Sequence, residues 1–188
     1  MKTTILLVMS LLMTACGQSQ GASQSEGAEK AARVERGRYL VTIVGCNDCH
    51  TPLKMGPNGP EPDMSRMLSG HPRDVVMPTP PAGNGPWGWS GALTNTAFAG
   101  PWGISYAFNL TPDEHAGIGI WTEDIFMKTM RTGRHMGTSR PILPPMPWQN
   151  LNAMTDEDLR SIYAYLRTIP KVSNLVPDAV IAEPPATE

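Results

Sequence analysis

Residues 46–50 read Cys-Asn-Asp-Cys-His, and no other stretch restricts what the chain can fold into so tightly. Two thiols three positions apart match the spacing of the two vinyl groups of one haem, and the imidazole that follows then reaches the iron. The core has to be built around such a group. Two other chemistries use paired cysteines. A redox dithiol wants its motif to open a helix after a parallel strand, and no strand-helix-strand alternation is visible; zinc wants a third and fourth ligand at finger spacing, and these are missing. The motif therefore implies one covalent haem c on Cys46 and Cys49, with His50 on the iron.

Cys16 belongs to a different pattern. Lys2 gives a positive start, Ile5 to Met13 is apolar except for Ser10, and Met13-Thr14-Ala15 places small residues before the cysteine. This resembles a bacterial lipoprotein box, with Met where Leu is commoner. As a helix, residues 3–16 would reach only about 21 Å, short of the roughly 30 Å of hydrocarbon in a bilayer. The implied layout is a signal peptide over 1–15, lipid on Cys16, and a flexible lipid-anchored tether over 16–28, where the sequence is polar, small and without periodicity. The folded domain is expected over 29–170 and an extended surface tail over 171–188.

Three helices are legible in that domain. Val34, Gly37, Leu40, Val41 and Val44 recur at helical spacing within 29–45. A second helix is expected over 122–132, with Glu123 and Asp124 at its positive end, Ile125, Phe126, Thr129 and Met130 on one face, and Gly133 as its stop. A third begins after Thr155 as N-cap, carries Asp156, Glu157 and Asp158 in its first turn, and runs its Leu159, Ile162, Tyr163, Leu166, Ile169 stripe up to Pro170. Residues 51–104 hold ten prolines and nine glycines, which predicts an ordered wrap with little regular structure. The fold class expected is mostly α. With a formal net charge of -2 there is no basic surplus to neutralise phosphates, which argues against a nucleic-acid partner.

The second axial position has one leading candidate and two rivals. Met146 lies in Pro-Ile-Leu-Pro-Pro-Met-Pro-Trp (141–148), where prolines hold the backbone extended and can present a thioether. Met136 and His135, just after Gly133, stand where a turn could face a haem. His71 and His115 are expected at the surface, and the other methionines of the domain as filling in the helices or the wrap.

Three segments, RGRYLVTIVGCNDCHT, NLTPDEHAGIGIWTEDIFMKTMRTG and PPMPWQNLNAMTDEDLRSIYAYLRTIP, together resemble class I c-type cytochromes, and in particular the cytochrome subunits of periplasmic alcohol and aldehyde dehydrogenases. The resemblance covers 30–50 and about 105–170. It implies a cytochrome c fold of about three main helices around one haem, with Cys46, Cys49, His50 and Met146 binding the group. It also implies a close crossing of the first and last helices, with Gly37 against the face bearing Ile162 and Tyr163, and Tyr165 and Leu166 as the closing aromatic-Leu pair. Here 95 residues lie between His50 and Met146, more than in the smallest members, and the wrap matches no motif. The implied function is one-electron transfer in the periplasm, between redox proteins such as a dehydrogenase, an oxidase or another cytochrome. A haem enzyme or a redox or gas sensor is the alternative, and either would need a displaceable distal ligand.

Overall fold

The structure is a computed structural model that describes residues 14–79 and 88–182, with side chains from Gln24 onward. The expected signal peptide lies almost wholly outside the described residues, as do the Cys16 side chain and the last six positions of the tail.

Helix α1 (Thr14–Ile43) covers the expected first helix up to Ile43, two residues short of its expected end, and extends upstream of it. Residues 17–28, expected as a flexible tether, are helical, and 24–30 are exposed. Once 29–43 is held by packing, each further turn adds hydrogen bonds without a new nucleation step, and Gln, Ala and Glu tolerate the helix well. Leu40 and Val41 are buried as the stripe requires, whereas Val44 stays 37% exposed. α3 (Glu123–Thr132) begins and ends where its local signals place it, and α5 (Asp156–Leu166) begins at its expected cap but stops at Leu166, short of the stripe expected to run up to Pro170. Thr122 Oγ1 accepts from the Ile125 N–H at 3.2 Å, and Thr155 Oγ1 from the Asp158 N–H at 3.1 Å. Gly133 closes α3 in the left-handed conformation, φ 62°, with the Trp148 ring packed on its Cα. Trp148 opens the short α4 (Trp148–Asn152).

α1 and α5 pack closely at Gly37, where a side chain would first meet the Ser161 carbonyl and Tyr165 Cβ. Ser161 and Tyr165 are four positions apart and form one ridge of α5, and the absent Cβ lets α1 settle against it. Leu40, Val41, Phe126, Met130, Leu159, Ile162 and Leu166 fill the core between α1, α3 and α5. Each such side chain contributes about 1.5–3 kcal/mol on leaving water. Arg36–Asp158 (2.9 Å) and Arg160–Glu123 (2.9 Å) join the helices at the rim, where solvent screening keeps both pairs weak.

The described residues form five helices and two small sheets, so the chain is helix plus sheet and not clearly the mostly α fold expected. The wrap expected to lack regular structure contains the hairpin β1 (Leu53–Gly56) and β2 (Gly59–Pro62), and then β3 (Ser90–Gly91), β4 (Ala97–Gly100) and β5 (Gly103–Tyr106). β6 (Val180–Ile181), from the tail, completes a four-stranded antiparallel sheet ordered β3-β4-β5-β6. Prolines hid the strands. Pro60 and Pro62 sit in a two-stranded ribbon, whose free edges need no N–H. Pro101-Trp102 makes the two-residue turn between β4 and β5, with Gly103 at φ 104°.

Candidate functional site

Gly45, at φ 76°, ends α1 and turns the chain into the short helix α2 (Cys46–His50). On a helix the positions i, i+3 and i+4 share a face, so Cys46, Cys49 and His50 come together on this single turn. Both thiols are free and partly buried. The turn is held from outside by the wrap. Thr51 caps α2 through its N–H to the Asn47 carbonyl (3.1 Å), its hydroxyl donates to Asn47 Oδ1 (2.8 Å), and the same hydroxyl accepts from the Leu68 N–H (2.9 Å). Asn95 Nδ2 donates to the Asp48 carbonyl at 2.6 Å, and the Gly70 N–H to the His50 carbonyl at 2.8 Å.

The His50 ring is 7% exposed, and its Nδ1–H donates to the Phe108 carbonyl at 2.7 Å. That bond fixes the tautomer and leaves Nε2 as the nitrogen with a lone pair to offer. Burial pushes the imidazole below its ordinary range, and the Phe108 carbonyl partly offsets it. A neutral imidazole is what a metal ligand requires. Burial likewise pushes the Cys46 thiol up to about 11 and raises Cys49. Redox dithiols need a thiol pushed downward, so this environment disfavours that chemistry. Both sheets are antiparallel, so the parallel strand such a motif follows is missing among the described residues. No group of three or more His, Cys, Asp and Glu able to hold a metal is found among them either.

Met146 is partly buried and packs on the same apolar cluster as Cys46. Its strap turns at Pro144 and Pro145, joined by a cis peptide, and is therefore not extended throughout as expected. Ser105 Oγ donates to the Pro144 carbonyl at 2.6 Å, which ties the strap to β5. The Ile142 N–H donates to the Gly133 carbonyl at 2.8 Å and the Trp148 N–H to the Met146 carbonyl at 2.9 Å. Met136 adopts φ 51° and is 36% exposed. His135 behaves differently: its ring stands edge-on to Phe108 (5.0 Å) and Trp121 (5.3 Å), and its Nε2 is buried without a hydrogen-bond partner. Burial and Arg140 lower its pKa, and Asp178 opposes them.

His115 is exposed as expected. His71, expected at the surface, is fully buried, with Nδ1 on the Thr96 hydroxyl (2.9 Å) and Nε2 on the Val75 carbonyl (2.8 Å). Both nitrogens are satisfied, so His71 clasps the wrap and has no lone pair free for a metal. Nothing in the neighbouring sequence marks Phe108 as part of the site. The signal for it is non-local, since its carbonyl reaches His50 across 58 positions.

The donor set fits haem c. Two free thiols share one turn with an imidazole held through Nδ1, and a thioether packs on the same apolar cluster. No protein-family model matches the chain. It is 28% identical over 169 residues to the fructose dehydrogenase cytochrome subunit of Gluconobacter japonicus, covering 88% of this chain and 26% of that protein. It is also 28% identical over 148 residues to the cytochrome c subunit of the quinone alcohol dehydrogenase of Gluconobacter oxydans, covering 78% of this chain and 23% of that one. The gluconate 2-dehydrogenase cytochrome c subunit of Pantoea cypripedii is 28% identical over 159 residues, 85% of this chain and 28% of that subunit. The chain thus spans about a quarter of the length of these curated relatives, and it is similar to cytochrome subunits of dehydrogenases.

Proposed function

We propose that this chain is a one-electron carrier with a single haem c, which Cys46 and Cys49 would hold through thioethers and His50 and Met146 through the iron. The observation that carries the proposal is His50, buried on the turn that bears both thiols, with Nδ1–H given to the Phe108 carbonyl and Nε2 left over. When bound, haem c would supply an iron that takes up and gives back one electron, and with both His50 and Met146 holding it no position would be left for oxygen or peroxide. His50 supplies nitrogen, and the Phe108 carbonyl orients the ring and makes it a stronger donor. Met146 supplies a sulfur, which favours the ferrous state more than a second imidazole does. Leu40, Val41, Leu159 and Ile162 belong to the apolar cluster on which Cys46 and Met146 pack.

The names of the relatives support a dehydrogenase as electron donor; an oxidase or another cytochrome would be the acceptor. Removal of 1–15 and lipid on Cys16 would hold the protein at a periplasmic membrane surface, with 16–28 as the connection. No described helix is long and apolar enough to cross a membrane.

Haem staining after denaturing electrophoresis tests the attachment. The wild-type band is expected to stain, and Cys49→Ser to lose most of the stain. Haem that leaves the wild type in acid-acetone would remove the proposal.

A further inference from the structure

Asn174 lies beyond α5, in the stretch expected as a surface tail, yet it is 2% exposed. Its amide uses all of its hydrogen-bonding capacity. Nδ2 donates to the carbonyls of Ser69 (2.7 Å) and His71 (2.8 Å), while Oδ1 accepts from the Arg73 N–H (3.1 Å) and the Arg66 guanidinium (3.2 Å). Asn109 is fully buried and reaches the same tail from the other side. Its Nδ2 donates to the carbonyls of Val172 (2.8 Å) and Asn174 (3.2 Å), and its Oδ1 accepts from the N–H (2.9 Å) and hydroxyl (2.7 Å) of Thr111. The Val172 N–H donates to Thr111 Oγ1 at 3.1 Å.

The two asparagines join three segments distant in sequence: 66–73 of the wrap, 107–111, and 172–174 of the tail. Wrap and central segment also bond directly, through Leu110 N–H to the Leu68 carbonyl (2.8 Å) and His71 N–H to the Ala107 carbonyl (2.9 Å). Phe108 lies inside the clamped segment. Its carbonyl is the acceptor for His50 Nδ1–H.

We propose that Asn109 and Asn174 are positioning residues for His50, locking the Phe108 carbonyl against the imidazole and so setting the reduction potential from the proximal side. The inference rests on the function proposed above. A carbonyl held close strengthens the Nδ1–H bond, raises the basicity of Nε2, and favours the ferric state. Loosening the clamp weakens that bond, and the potential moves upward.

The test uses the full chain carrying covalent haem. Asn109→Ala, Asn174→Ala and the milder Thr111→Val, which removes only a hydroxyl from the clamp, are compared with wild type. The readouts are redox titration and NMR exchange of the His50 Nδ1 proton in the reduced protein. The expected result is retained haem stain and helix content, faster proton exchange and a raised midpoint potential in all three variants. Lys171→Ala serves as control, because that ammonium pairs with Glu114 at the exposed start of the same segment, and it is expected to match wild type. Wild-type potentials and exchange rates in the haem-loaded variants would overturn the inference even if melting temperatures fell, since the asparagines would then be structural only. Should both alanine variants fail to fold, Thr111→Val decides on the same two readouts. A wild type without covalent haem overturns the proposed function and this inference with it.

Discussion

At His50 the two ring nitrogens differ, because Nδ1–H belongs to the Phe108 carbonyl and Nε2 is left for the proposed iron. The proposed second ligand is where single residues can be told apart. Met146 packs on the cluster that also receives Cys46, Met136 is 36% exposed, and His135 hides an unpartnered Nε2 between Phe108 and Trp121. Methionine sulfur on ferric low-spin haem gives a weak charge-transfer band at the near-infrared edge that a second imidazole does not give. Met146→Ala is expected to abolish that band and to let cyanide bind readily, whereas Met136→Ala and His135→Phe keep it. Absorption spectra of the oxidised proteins decide the matter. Loss of the band in His135→Phe with persistence in Met146→Ala would transfer the ligand role to His135.

The contact between α1 and α5 depends on one missing side chain. At Gly37 a methyl group would run into the backbone carbonyl of Ser161, which cannot swing aside as a flexible side chain would. Gly37→Ala is therefore expected to destabilise the fold by about 3 kcal/mol, the upper end of the usual overpacking range, despite alanine's better helix propensity. Urea unfolding of the haem-loaded protein measures it, and a stability equal to wild type would mean that the crossing is looser than described. Both ends of α3 and the start of α5 are legible in the sequence because caps are local: Thr122, Thr155 and Gly133 each bond within four residues of themselves. The strands are not legible there, because their pairing is not local. β6 joins β5 from the far end of the chain, and Pro60 and Pro62 are acceptable only because their strand has a free edge.

Over the whole molecule, His71 and His135 share a titration sign. Burial lowers both pKa values below the ordinary value near 6.5. For His71, the Val75 carbonyl opposes the lowering, Arg66 adds to it and Asp74 opposes it further. In the unfolded chain both imidazoles take up protons as pH falls through about 6.5, while the folded chain resists, so acid favours unfolding. Their contribution is complete above that pH and is lost as pH falls through the folded values. Melting temperature, followed by circular dichroism on the haem-loaded protein, is expected to drop between about pH 7 and pH 5. His71→Gln is expected to melt lower at pH 7 and to show a shallower drop; an undiminished slope would remove His71 from the explanation. Anchoring belongs to this scale as well. Wild type is expected to partition into detergent and Cys16→Ser to stay in the aqueous phase, and mass spectrometry of the mature N-terminus would expose a lipid-free cleavage elsewhere.

The residues that carry the proposed chemistry are written in the sequence itself, because Cys46, Cys49 and His50 need only one another's spacing along the chain. Helix periodicity and caps are likewise short-range properties, legible wherever a residue and its partner lie within a turn. What only the tertiary structure decided is everything that depends on a partner far along the chain. His71 meets Thr96 across 25 positions, and Asn174 meets Ser69 across 105. Nothing in the composition of a Pro- and Gly-rich wrap says which carbonyl a buried amide will find there. Hydrogen bonds inside the core are obligatory but their pairing is set by the packed arrangement, so the sequence showed which residues could ligate and the fold alone showed what holds them in place.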